Sequence, residues 1–432
     1  MADFAEPIYP LEKAELIRAL ATGHGRALIH AERFGTENLR EEILDAALFP
    51  KVYDMQCNGH GEAWLARLCE AAGLVESFVS QDHGIAGDLD LRCGLLGQFA
   101  LRGNATARAE LRELCRYDEK KDWLPAAGEI VEVDGEEGFL FAADRAGEAL
   151  LKHPGYWGAV YLASLLDEKA VEGRAMAIMD RESSRNPNIA AFREAVLEHE
   201  ARMNAKPQRP PTPTVVEVIG QILASTKRVP RLRNFGEKAT RKERRKVAAL
   251  DFTKMERVPL ENYLCYFQRS GFPEFREEYL PLLQHPEERV RWLAQVVLSH
   301  HAEPQVRRAA YEALARGELA SFVRLLRSSG SAEDLEPLLA AIGAPESLAD
   351  ADEAHDVVGA LYDLVNDHAK VNLRVIVRIY ESSPCRVCRY KAVKLMAEHS
   401  ILPQWIAEEC LNDAYDDTRE MAAKYLGVKR KF

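Results

Sequence analysis

Apolar positions recur every three to four residues along most of the chain, with polar residues between them. That is the spacing of amphipathic helices. Residues 11–117 carry it in LEKAELIRALATGHGRALIHAERFG, REEILDAALF, GEAWLARLCEAAG and LDLRCGLLGQFALRG, and glycines at or just after these runs suit helix C-caps. The same spacing returns in GYWGAVYLASLLDEKA, VEGRAMAIMDRE and PNIAAFREAVLEHEARM. Two stretches break it. In residues 129–143, EIVEVDGEEGFLFAA, short Val/Ile/Phe runs flank Asp134-Gly135, a favoured two-residue turn, and predict a small inserted β-hairpin. Residues 206–214, KPQRPPTPT, hold four prolines and predict an extended linker between an N-terminal helical half, 1–205, and a C-terminal half, 215–432.

The second half repeats a short pattern. Val290-Arg291, Val306-Arg307, Cys388-Arg389 and Thr418-Arg419 are each followed three residues after the arginine by alanine: Ala294, Ala310, Ala392 and Ala422. Small apolar residues fill a tight helix–helix seam, while the arginine can lie along the surface and reach a neighbouring loop. The pattern resembles the D-x-x-VR-x-x-A-x-x-x-L signature of HEAT repeats. The resemblance covers roughly 280–432, and the first half shares only helix spacing and turn rhythm. It implies an all-α fold, an α-solenoid of stacked HEAT-like helical hairpins, each unit covering its neighbour's apolar face.

Composition agrees with a helical, folded chain. Of 432 residues, 47% are hydrophobic, ample for a sizeable core. No run approaches 18 uninterrupted apolar residues and the first twenty carry no apolar signal core, so a membrane span and secretion are not expected. The eight cysteines are scattered, as in a reduced cytoplasmic protein rather than a disulfide framework.

Charge changes the picture. Residues 227–246, KRVPRLRNFGEKATRKERRK, hold ten Lys/Arg against two Glu, a local charge of +8 in a chain whose net charge is −11. Fold alone does not require such an island. Lys227, Arg228, Arg231 and Arg233 surround Pro230 and are expected on a loop, with Gly236 as punctuation. Thr240 and Glu243 form a capping-box pattern that starts a helix bearing Arg241, Lys242, Arg244, Arg245 and Lys246. Loop arginines beside a helix N-terminus suit carboxylate or phosphate groups. The bland alternatives are a solvated face and internal salt bridges to the acidic remainder. Aromatics are scarce there, which argues against base stacking on single strands.

Other candidate chemistry is weaker. Cys385-x-x-Cys388 has no second such pair, so packing cysteines are expected rather than zinc ligands. Cys57 and His60 flank an Asn-Gly turn, with His83 a distant third donor. His300-His301 fits a helix C-terminus. The acidic tract Glu129, Glu132, Asp134, Glu136 and Glu137 reads as a solvated hairpin rather than a catalytic acid cluster. No phosphate loop, dinucleotide fingerprint, nucleophile elbow or HExxH helix is present, and no cofactor or metal is expected. The expected role is non-catalytic recognition of a protein partner, with the basic segment (Lys227, Arg228, Arg231, Arg233, Arg241, Arg244, Arg245) meeting acidic or phosphate groups. Two alternatives stand beside it. One is nucleic-acid binding or processing of the kind done by HEAT-like DNA glycosylases. The other is an immunity-type inhibitor of a basic protein.

Overall fold

Several helices begin where the sequence supplies a side-chain cap. Thr214 and Thr240 each accept from the backbone three residues on, and Glu217 and Glu243 reach back to close the box. Asp88, Asn104, Asn186 and Asn372 cap four further helices with their side chains. The computed structural model describes residues 6–36, 39–51, 53, 61–80, 87–154, 156, 159–205, 212–343, 350–367 and 372–429. Among these it is all-helical. The only strand-like feature is an isolated bridge between Asp118 and Trp123. No described helix is long and apolar enough to cross a membrane. The Cys57–His60 turn, His83 and residues 206–211 of the Pro-rich stretch lie outside the described residues.

The inserted β-hairpin is absent: residues 129–143 lie within the helical stretch Ala127–Lys152. Asp134-Gly135 does turn the chain, but between two helical segments. Gly135 sits at φ 60°, ψ −126°, a conformation open to a residue without Cβ. Ile130, Val131, Phe139, Ala142, Ala143 and Ala146 are buried, and this spacing follows a helix rather than the alternation of a half-buried strand. The acidic tract is not a solvated ribbon either. The Asp134 side chain is 1% exposed and takes Arg108 at 2.5 Å and Arg112 at 2.6 Å. Glu136 takes Arg174 at 2.6 Å and Glu137 takes Arg112 at 2.8 Å.

The described residues form two compact units. One runs from residue 212 to Gln404. The other joins residues 6–205 to Trp405 and the residues after it, so the last helices belong with the first half rather than with the 215–432 half expected from sequence. The core of this discontinuous unit includes Leu28, Trp64, Leu68, Phe78, Phe99, Phe139 and Phe192. Its closure is polar. Glu409, on the helix Gln404–Cys410, is 2% exposed. Its carboxylate accepts from Arg26 Nε at 2.9 Å, and His24 Nδ1 lies 3.3 Å away. Arg26 also reaches Glu15 at 3.1 Å, and the Ala414 amide donates to the Gly23 carbonyl at 3.0 Å. Burial alone would raise the Glu409 carboxyl, but the adjacent Arg26 guanidinium and the His24 hydrogen bond outweigh it and hold the group below the ordinary carboxylate range.

In the 212–404 unit an aromatic cluster fills the space beneath the helix Arg257–Phe267. Phe272 stacks on Tyr279 with ring centroids 3.7 Å apart, and Tyr263, Phe267 and Phe252 surround them. The four motif arginines each occupy the fourth position of a helix: Glu288–Leu298, Pro304–Ala315, Arg386–Glu398 and Asp416–Leu426. The alanine one turn later is buried in all four. Arg291 donates to the carbonyl of His285 at 2.8 Å and Arg419 to that of Asp413 at 2.7 Å, in each case six residues back. Arg307 instead pairs with Asp334 at 2.7 Å.

Candidate functional site

The basic segment folds as a loop and two short helices, Leu232–Lys238 and Arg241–Ala248. Asn262, fully buried on the helix Arg257–Phe267, clamps the loop. It accepts from the Val229 amide at 2.9 Å and donates to the Lys227 carbonyl at 3.2 Å. Gly236 is not a break, as its residue type suggests, but lies within the first short helix. A Cβ there would sit 1.7 Å from the Tyr266 carbonyl oxygen, so the missing side chain is what lets the two helices touch. Asn262→Ala removes both loop bonds from a buried site. It is expected to cost about 1–3 kcal/mol, read as a lower urea midpoint together with faster amide exchange at Val229.

Internal pairing explains only part of the charge. Arg228 pairs with Glu261 at 3.0 Å, a buried carboxylate that Arg257 also reaches at 3.0 Å. Arg245 and Arg241 share Glu274, at 2.5 Å and 3.9 Å, and the Arg245 hydrogen bond lowers the Glu274 carboxyl below its usual range. Lys227, Arg231, Arg233, Lys238, Lys242, Arg244 and Lys246 have no carboxylate within ion-pair distance among the described residues, and all but half-buried Arg244 are exposed. The segment's own two acids are engaged elsewhere: Glu237 holds Arg269 at 2.7 Å and Glu243 caps its helix.

The fold adds a cation that the linear sequence does not place here. Arg289 lies 4.3 Å over the Trp292 ring, and with Arg228 and Arg233 it lines a recess of about 60 Å³ above Asn262, Cys265 and Gln268. Guanidinium on an aromatic face is held in orientation without losing its charge. Arg233 and Arg289 both bear on the Cys265 thiol, although burial dominates and raises it.

Comparison with family models, curated proteins and solved structures finds no match.

A second cluster lies in the same unit. Cys385 is the N-cap of the helix Arg386–Glu398, Cys388 lies one turn on, and His355 comes from the helix Ala351–Asp367. The Cys388 Sγ and His355 Nε2 are 3.5 Å apart, and the three donor atoms all lie within 4.8 Å of one another. Ser383, fully buried, donates to the Cys385 carbonyl at 2.7 Å and fixes the turn before the helix. A hydrogen bond from Cys388 lowers the Cys385 thiol well below the ordinary thiol range against the effect of burial, and His355 and the Cys388 and Val387 amides add to it. His355 is raised in turn, first by its hydrogen bond to Cys385. The two cysteines thus share a cluster with His355, which the sequence had no means of placing beside them.

The remaining candidates have structural roles. His301 is buried beside Phe272 and Phe275, and burial lowers its affinity for a proton. His300 Nε2 lies 3.2 Å from the Gln268 carbonyl. In the acidic tract Glu129 is raised, chiefly by burial and then by Glu132, Glu62 and Asp90.

Proposed function

We propose that this chain is a non-catalytic binding protein of the HEAT-like α-solenoid kind, which captures an acidic protein surface through residues 227–246 and Arg289. The observation that carries the reading is the seven cations of the segment left without a carboxylate partner among the described residues. A network serving only the fold would pair them. The shared position of the motif arginines, and the matching carbonyl bonds of Arg291 and Arg419, support the repeat assignment. A cytoplasmic setting suits the unbridged cysteines. An acidic protein is favoured over nucleic acid because Arg289 already covers the Trp292 face, which leaves that ring unavailable for base stacking.

The test uses labelled poly-glutamate, single-stranded DNA, duplex DNA and RNA at low and near-physiological salt, read by anisotropy and stopped flow. The variant is Arg231→Glu, Arg233→Glu, Lys242→Glu and Lys246→Glu together, all exposed and outside the internal pairs. Its on-rate for poly-glutamate is expected to fall about 10- to 1,000-fold, with stability within about 0.5 kcal/mol of the parent. Unchanged binding would remove the patch assignment. Tighter, salt-steep binding of DNA or RNA, lost in the variant, would put nucleic acid in place of protein.

A further inference from the structure

The geometry points to a zinc site formed by Cys385, Cys388 and His355, with one coordination position left for water or a small ligand. Two sulfurs and an imidazole nitrogen are the donors this borderline-soft ion takes, and three protein ligands with an open fourth position is an established coordination pattern for it. The spacing fits. With Zn–S near 2.3 Å and Zn–N near 2.0 Å, tetrahedral angles put sulfur and nitrogen about 3.5 Å apart and the two sulfurs about 3.8 Å apart. The Cys388–His355 separation is 3.5 Å, and no pair in the trio exceeds 4.8 Å, so closing on an ion needs shifts of an ångström or less.

The supports are also in place. Cys385 heads a thirteen-residue helix, where the backbone amides of the first turn face its sulfur and favour a thiolate. The i, i+3 spacing brings Cys388 to the same face, and the buried Ser383 hydroxyl holds the Cys385 carbonyl. His355 stands on a separate helix, so the ion would join two elements. Two thiolates neutralise a divalent ion, which suits a place where Cys385 is buried and Cys388 and His355 are half-buried. Binding releases to solvent whatever protons the thiols and the imidazole carry. The site is independent of the basic surface and makes no use of its cations.

Reduced, chelator-treated full-length protein would be titrated with Co²⁺, followed by Zn²⁺ competition. The expected result is one equivalent of Co²⁺ with thiolate-to-metal charge-transfer absorption and the intense visible bands of four-coordinate cobalt, both erased by Zn²⁺. Cys385→Ser, Cys388→Ser and His355→Ala should each weaken zinc binding at least about 100-fold, because loss of a ligand exceeds loss of its supports. The wild-type cobalt spectrum decides even if a variant fails to fold. Absence of the charge-transfer band, equal zinc affinity in parent and variants, or uptake of Cu⁺ without Zn²⁺ would each overturn the assignment. So would a Cys385–Cys388 disulfide in protein that, once reduced, takes up no metal.

Discussion

Replacing Glu409 with alanine is expected to lower the stability of the discontinuous unit by about 3–5 kcal/mol, because it leaves Arg26 buried without its main counter-charge. Glu15 keeps one bond to Arg26 but is itself partly exposed, so it cannot replace a carboxylate sealed from water. The pH dependence has a definite sign. Glu409 titrates below its ordinary value of 4.5 when folded, so its contribution is complete above that pH. It is lost as pH falls from there through the folded value. Urea titrations of parent and Glu409→Ala at neutral pH and in increasing acid should therefore converge at the acid end. A constant difference down the series, or none at neutral pH, would show that the Arg26–Glu409 pair does not hold the helix Gly25–Phe34 to the helix Gln404–Cys410.

Gly236→Ala carries the second large effect. A methyl group 1.7 Å from the Tyr266 carbonyl oxygen cannot be absorbed by a side-chain rotation, because the obstacle is backbone. The helix Leu232–Lys238 must move off the helix Arg257–Phe267, at a cost expected near the upper end of about 1–3 kcal/mol. The same movement displaces Arg233 from the recess it shares with Arg228 and Arg289. Poly-glutamate binding should therefore weaken although no charge has changed. A variant with the parent's denaturation midpoint would mean that the helices can separate without penalty.

Helix periodicity was legible in the sequence because it is a local property. So was the Thr240–Glu243 cap, whose donor and acceptor are three residues apart. The Asp134-Gly135 signal identified a turn but not its neighbours: a glycine with positive φ can break a helix as readily as it can close a hairpin. Counting charge found the basic segment. It could not separate Arg228, bound to a buried carboxylate, from Arg233, which has no such partner among the described residues, nor bring in Arg289. The Cys385-x-x-Cys388 pair was visible, but its meaning rests on His355, thirty positions upstream on another helix. Contacts of that range leave no local pattern.

The return of residues 405–429 to the first half has a consequence for biosynthesis. A unit assembled from residues 6–205 and the helices after Trp405 cannot close its Arg26–Glu409 contact until the whole intervening segment has been translated. At roughly 5–20 residues per second, those ~200 residues take about 10–40 s. During that interval the nascent first half exposes the surface around Gly23–Arg26 that Glu409 and Ala414 later cover, and it must be shielded or stay loosely formed. Native order in the 6–205 region is then completed only after residues 212–404 have been made, and ribosome stalling within that segment would leave the earlier region open to proteases and chaperones.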